Sequence, residues 1–253
     1  MIEKKVDNGL VCVFDILGYK NIIENNSIDE CAIIIKDILI KLPQEIVFEY
    51  LSMLPNISAM NELLNILNKH CNYIMVSDTI IMFFDYENLG KNEKSKYIML
   101  SILYIIKFQY LSFKSGLPMR SCIDFGSFYF YENIFAGKSI INCFNESEKL
   151  NFSGITITEK AGEFIINNID ELTQKYFGMC IFKYNTPLKN GFEEEKYLID
   201  WYTTSHDAPV TRNLKQKIVK SFSMHNKTID KSVQVKIENT EKIIKYCLYG
   251  KGK

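Results

Sequence analysis

Two carboxylates stand out because apolar strands deliver them. Leu10 to Phe14 is an apolar run that ends on Asp15, three residues before Gly18. Later, Tyr73 to Val76 and Ile80 to Phe84 flank the turn Ser77-Asp78-Thr79. Two bare acids held side by side repel, and a cation relieves the repulsion. Carboxylate oxygens with open water positions suit magnesium or manganese, and magnesium usually binds substrate phosphates as well. The chemistry this pair would support is therefore metal-assisted phosphate chemistry. An Asp at a strand end or hairpin tip is also a common turn residue, and spacing alone does not separate the two.

The elements that would position the acids read as strand, helices, strand, turn, strand, helix, strand. This order predicts an α+β fold, a ferredoxin-like βαββαβ unit with one antiparallel sheet covered by helices on one face. In that topology the first strand lies beside the third and opposite in direction, which brings Asp15 and Asp78 to one sheet edge. Residues 21–42 carry apolar positions at helical spacing, interrupted at Asn26-Ser27 with Ser27 as an N-cap, and Pro43 closes the element. Residues 44–71, with Pro55 inside, read as two short helices or a helix and a loop. A polar loop over 85–96 leads into a helix over 97–114, mostly apolar all round. Met119 to Phe130 reads as a long strand, bent or bulged at Gly126. A helix from Gly137 to about Leu150, a short strand at Gly154 to Thr158 and a helix capped by Thr158 follow. Strand candidates at 179–184 and 196–201 flank a Pro/Gly/Glu loop, and helices near 209–223 and 231–249 end the chain.

At 253 residues with 47% hydrophobic side chains, the chain buries one generous core. We expect a catalytic domain over 1–175 and, over 176–253, a strand pair and helical extension packed on the same domain. Thirty basic and thirty acidic residues balance, so no global field draws the protein to nucleic acid or anionic lipid, and a charged ligand needs a local site. Seven scattered cysteines without a Cys-x-x-Cys pair read as small core residues in a reducing, cytoplasmic setting. The N-terminus lacks a signal-peptide core, and the greasiest run is broken by Lys107 and Gln109, so no segment is expected to cross a membrane.

With these residues in hand, the chain resembles a class III nucleotidyl cyclase catalytic domain over residues 9 to 160. The resemblance rests on Phe14, Asp15, Ile16, Gly18 and Tyr19, then Ser77 and Asp78, then Arg120, Ile123 and Gly126, then Gly137, Ile141 and Asn142. More narrowly, Leu117 to Arg120, Tyr184 to Lys189 and Leu198 to Trp201 look like the bacterial cyclases of anti-phage Pycsar defence. The resemblance implies in-line attack of a ribose 3′-hydroxyl on the α-phosphorus of its own triphosphate, releasing pyrophosphate. It implies two Mg2+ or Mn2+ ions held by Asp15, Asp78 and the Ile16 carbonyl. It further implies a head-to-tail homodimer with sites shared across the interface. A defence role implies a separate effector that senses the cyclic product. Two positions depart from the family. Glu146 stands where an Arg is expected four residues after Asn142, and Ile74 stands where a purine-reading Lys is expected. The latter favours a pyrimidine triphosphate, UTP or CTP, giving cUMP or cCMP. A degenerate cyclase-fold binding protein and a polymerase-like palm domain are the competing readings.

The remaining candidates are weighed singly. Arg120 would bind a base edge or phosphate through its planar fork, or pair with an acid. Tyr73 would stack on a base or fill the core. Asn142 would contact ribose and act catalytically, or cap its helix. Lys138 is a triphosphate candidate or a solvated lysine, and Gly18, Tyr19 and Ser77 complete the substrate-binding set by resemblance. Asp124 is a third acid or an ion-pair partner of Arg120. His70, His206 and His225 fit no ligand spacing and read as surface or loop positions. Glu193-Glu194-Glu195 reads as a solvated loop.

Overall fold

The computed structural model describes residues 3–43, 45, 46, 65, 69–132, 134–205 and 213–250. The first strand, β1 (Glu3–Ile16), is the spine of the sheet. It runs antiparallel to β3 (Thr79–Asp85) on one side and β4 (Met119–Tyr131) on the other. The hairpin partner β2 (Cys71–Val76) lies outside β3. Beyond β4 come β6 (Gly154–Ile157), β8 (Glu193–Ile199) and β7 (Ile181–Pro187), giving the order β2-β3-β1-β4-β6-β8-β7 with a short β5 (Ile134–Ala136) on β4. First and third strands are neighbours, as the βαββαβ reading predicts.

Successive residues of β1 enter different cores, because side chains alternate across a strand. Leu10, Cys12 and Phe14 pack with Ile80, Met82 and Phe84 under the helix α3 (Lys91–Lys114). Here Phe14 and Phe108 meet edge-on at 4.9 Å. Val11 and Val13 pack on the other face with Ile81, Phe83, Cys122, Ile140 and Cys143. The last two belong to α4 (Lys138–Lys149), so helices cover both faces at this point rather than one. The unbroken apolar run is the reason: a strand apolar on both sides needs cover on both. The sheet is also not wholly antiparallel, since β4 and β6 run parallel with α4 as the crossover.

Several boundaries differ from the sequence pattern. β1 begins at Glu3, where polar residues pair with the aromatic end of β4. The irregularity expected at Gly126 lies opposite it, between Val6 and Gly9 of β1. Gly9 has no room for a side chain, because a Cβ would sit 2.4 Å from the Phe128 ring. α3 starts at Lys91, within the expected loop, since the Glu93 carboxylate accepts from the Gly90 amide. Residues 171–180 form a helix, α6 (Glu171–Cys180), after α5 (Glu159–Asn168); its cap Asp170 accepts from the Thr173 amide and the Ser95 hydroxyl. The run Glu193 to Glu195 is strand rather than loop, paired with Pro187 to Asn185. The chain between β1 and β2 opens with α1 (Tyr19–Asn25) and α2 (Ile28–Ile34), the latter capped by Ser27 as predicted, in a capping box that Glu30 completes. Most of 44–71, the start of the helix near Pro209, and His206 lie outside the described residues.

The C-terminal α7 (Leu214–Ser223) and α8 (Lys231–Tyr249) join the principal core through Ile218, Phe222, Ile237 and Ile244. The Ser221 hydroxyl donates to the Phe113 carbonyl at 2.6 Å, and the Thr240 hydroxyl accepts from the Ser153 amide at 2.9 Å. Among the described residues no helix is long and apolar enough to cross a membrane, and all seven cysteines are free thiols.

Candidate active site

The end of β1 and the β2–β3 turn are tied by the backbone. The Ile16 amide donates to the Asp78 carbonyl at 3.0 Å, and Asp15 lies directly opposite Thr79 in the ladder. On its other side Asp15 faces Arg120, whose Nε donates to Oδ2 at 2.5 Å. The guanidinium also donates through Nη1 to the Glu148 carbonyl at 3.0 Å, at the end of α4. Arg120 is thus paired with Asp15 and not with Asp124. The turn itself is strained, because Ser77 takes φ +57, a conformation at ease mainly for glycine. Gly18, at φ +81, turns the chain from β1 into α1.

Burial raises the Asp15 carboxyl above its ordinary value; the charge and hydrogen bond of Arg120 oppose this, and the nearby Asp78 charge adds to it. Tyr19 is raised by burial and then by Asp78, which places its ring beside the same rim. A partly buried carboxylate beside a second acid is a donor set that a divalent ion would suit, although in this structure Arg120 is the cation that meets Asp15. The set is small. Among the described residues no group of three or more His, Cys, Asp or Glu could hold a metal, so other donors would be backbone, water or phosphate oxygens.

A second group of polar residues lines a cavity of about 580 Å³ between α4 and strands β6 and β8. Here Asp124, nearly fully buried, accepts from the Asn142 side-chain amide at 3.0 Å and the Thr158 hydroxyl at 2.5 Å. Asn142 sits in the second turn of α4 and does not cap it, since the N-cap is Gly137. One turn on, Glu146 pairs with Lys149 at 2.6 Å and Lys196 at 2.7 Å. Burial alone would raise the Glu146 carboxyl, but its bonds and charge pairs with Lys149 and Lys196 outweigh burial and lower it. The cavity opposite the expected arginine position therefore holds a lysine, Lys196, neutralised by Glu146 and by Glu194 at 3.0 Å.

The expected site residues thus separate into two sets. Asp15, Ile16, Gly18, Tyr19, Ser77, Asp78 and Arg120 share the rim. Asp124 pairs with Val11 in the ladder, four residues back along β1 from Asp15, or roughly 13 Å at about 3.3 Å per residue; Asn142 goes with it. Lys138 is exposed in the first turn of α4, ten residues from Glu148, or roughly 15 Å along the helix. Tyr73 pairs with Met82, so its half-exposed side chain lies on the opposite face from Asp15 and Thr79. His70 is buried rather than on the surface, with Nδ1 3.7 Å from Asp85, and the His225 Nε2 lies 2.7 Å from the Ser115 carbonyl. Sequence reasoning missed Lys189, in the β7–β8 turn, whose charge couples to Arg120 and Asp15. It also missed Lys196. Neither carries a spacing signal, because both come from the β7–β8 hairpin, remote in sequence from the residues they meet.

No protein-family model matches the chain, and no curated protein matches it in sequence. Solved structures do match. The catalytic core of a rhodopsin-guanylyl cyclase with converted specificity superposes with a TM-score of 0.51 at 8% identity, over 78% of this chain and 98% of that one. The adenylyl cyclase CyaB from P. aeruginosa gives 0.49 at 13% identity, over 79% and 96%. The guanylate cyclase domain of RhGC from Catenaria anguillulae gives 0.49 at 10% identity, over 78% and 97%. With its strand order and its two-faced helical cover, this chain has the fold of the class III nucleotidyl cyclase catalytic domains.

Proposed function

We propose that the chain is a nucleotidyl cyclase, with a catalytic domain over 1–175 and an extension over 176–253, that closes a nucleoside triphosphate to a 3′,5′-cyclic monophosphate and pyrophosphate. The observation that carries this reading is the bond from the Ile16 amide to the Asp78 carbonyl, which fixes two acids of distant strands at one rim beside Arg120. Asp15, Asp78 and the Ile16 carbonyl would hold two magnesium or manganese ions. Such ions, when bound, lower the pKa of the attacking 3′-hydroxyl and neutralise phosphate charge. Arg120 is the counter-ion of Asp15, and its remaining guanidinium donors would face phosphate oxygens. The positive-φ turn at Gly18 lets the backbone approach the polyphosphate.

Asn142 belongs to the reaction in a second copy. Within one chain its hydrogen-bond partner Asp124 is roughly 13 Å from Asp15 along β1, which argues against Asn142 touching the same α-phosphate. A homodimer that lays the Asp124–Asn142 cavity of one copy over the Asp15–Asp78 rim of the other completes the site. Ile74, in place of a base-reading lysine, supports UTP or CTP over purines, and a soluble anti-phage messenger sensed by a separate effector is the role we favour.

A second reading is favoured by Glu146. Its pairing with Lys149 and Lys196 cancels the charge a pentavalent phosphate needs, as a protein that binds nucleotide without turnover would allow. Incubation of the purified protein with each of the four triphosphates and manganese, with products resolved by mass, decides. Cyclic monophosphate, lost in Asp15→Asn and Asp78→Asn, is the expected result. Absence of product supports the binding protein, and oligonucleotides support a palm-like polymerase.

A further inference from the structure

Beside the rim, α1 and the C-terminal helices enclose a cavity of about 290 Å³. This is near the lower end of small-molecule sites, roughly 300–1,000 Å³, and suits a diphosphate better than a whole nucleotide. Gly18 lines it, three residues past Asp15, so the Cα atoms of the two residues are within about 11 Å of each other.

Its charge is unbalanced. Three ammonium groups, Lys20, Lys227 and Lys236, meet two carboxylates, Glu24 and Asp230. Glu24 pairs with Lys20 at 3.6 Å, and Asp230 accepts from the Val233 amide at 2.8 Å as the cap of α8. Lys227 is 7% exposed and, among the described residues, reaches only neutral acceptors, the Gly116 carbonyl and the Ser221 carbonyl, at 2.5 and 3.1 Å. Among the described residues Lys236 donates only to Ser232, through its carbonyl and hydroxyl at 3.3 and 3.2 Å. Neither makes an ion pair among the described residues. A buried cation without an anion is costly, and an anion in the adjoining space offsets that cost. Burial depresses Lys227 to about 7, and an anion in the adjoining space would favour its charged form. Burial lowers Lys236; the Asp230 carboxylate opposes this, and the charge of Arg120 adds to it, which links the cavity electrostatically to the rim.

We propose that this cavity receives the terminal diphosphate of a nucleoside triphosphate whose α-phosphate lies at the Asp15–Asp78 rim, with Lys236 and Lys227 as the charges that hold it. The proposal rests on the nucleotide reading of the rim. It gives the C-terminal helices a function in the same chain as the acids.

The test is calorimetric titration of inorganic pyrophosphate into the purified protein in EDTA, which keeps divalent ions from the rim. Pyrophosphate binds the native chain, and Lys236→Gln weakens it about tenfold, the loss of one charge-assisted bond. The melting temperature stays unchanged, because Lys236 bonds only within its own helix. A nucleoside triphosphate competes with the pyrophosphate. No binding, equal binding by Lys236→Gln, or pyrophosphate that no triphosphate displaces each overturns the proposal. Competitive binding that depends on Lys236, in a protein that forms no cyclic product, supports the cavity and refutes cyclisation alone.

Discussion

Lys227 gives the sharpest test of the packing between the C-terminal helices and the rest of the fold. Burial takes its ammonium from an ordinary value of 10.5 to about 7. At about 1.4 kcal/mol per pH unit, holding the charged form inside costs about 5 kcal/mol below pH 7. The sign follows from proton counting. Between about pH 7 and pH 10.5 the unfolded chain binds this proton and the native chain does not, so stability rises with pH across that window. The groups around Lys227 are Lys20, Lys236, Glu24 and Asp230 in the cavity, and His225 beside Gly116. These remain in Lys227→Met, so their titration cancels in a comparison of the two proteins. Methionine also leaves the Gly116 and Ser221 carbonyls without a donor, which offsets part of the gain at any one pH. The difference in slope is therefore the diagnostic quantity. Urea denaturation at pH 7, 8 and 9, in buffer free of phosphate, should show the native chain gaining about 2.5 kcal/mol relative to Lys227→Met across those two units. Parallel profiles would refute the inference that burial without a counter-ion strips Lys227 of its proton above about pH 7.

Further expectations concern the rim and the α4 cavity. Arg120→Leu leaves a partly buried Asp15 carboxylate unpaired and should destabilise metal-free protein by about 3 kcal/mol, with manganese restoring part of the loss in a thermal melt; a variant as stable as the native chain would argue against the pair. Ser77→Gly relieves the positive φ at the hairpin tip and should stabilise by about 0.5–1 kcal/mol in chemical denaturation, whereas a loss would mean that the hydroxyl has an unrecognised role. Glu146→Gln removes two partly exposed ion pairs and should cost about 1 kcal/mol near neutrality. Because that carboxyl is lowered in the fold, the difference should shrink as acid protonates it, and a difference independent of pH would point to packing instead.

The order of strands and helices was legible because β1 is a run with no polar break from Leu10 to Phe14, and because the Ser77-Asp78 turn sits between two such runs. The neighbouring of β1 and β3, and hence the meeting of Asp15 and Asp78, followed from topology alone. The second helical cover was not read from α4, because its spacing shows an apolar stripe without saying which side of a sheet receives it. Tyr73 went to the far face of β2 because strand register fixes sidedness, and one residue of shift would have reversed it.

Local chemistry, then, was a property of the sequence: which acids end apolar strands, where Ser27 caps a helix, and where Gly18 turns the chain are each decided within a few residues. Partnership was decided only by the tertiary structure. Arg120 with Asp15, Glu146 with Lys196, and Lys227 against the Gly116 and Ser221 carbonyls join residues 50 to 111 positions apart, except for the Lys227–Ser221 contact, which spans 6. Electrostatic pairing depends on distance in space and on how much water remains between the groups, and neither quantity is written along a chain until the sheet and its two helical layers have closed.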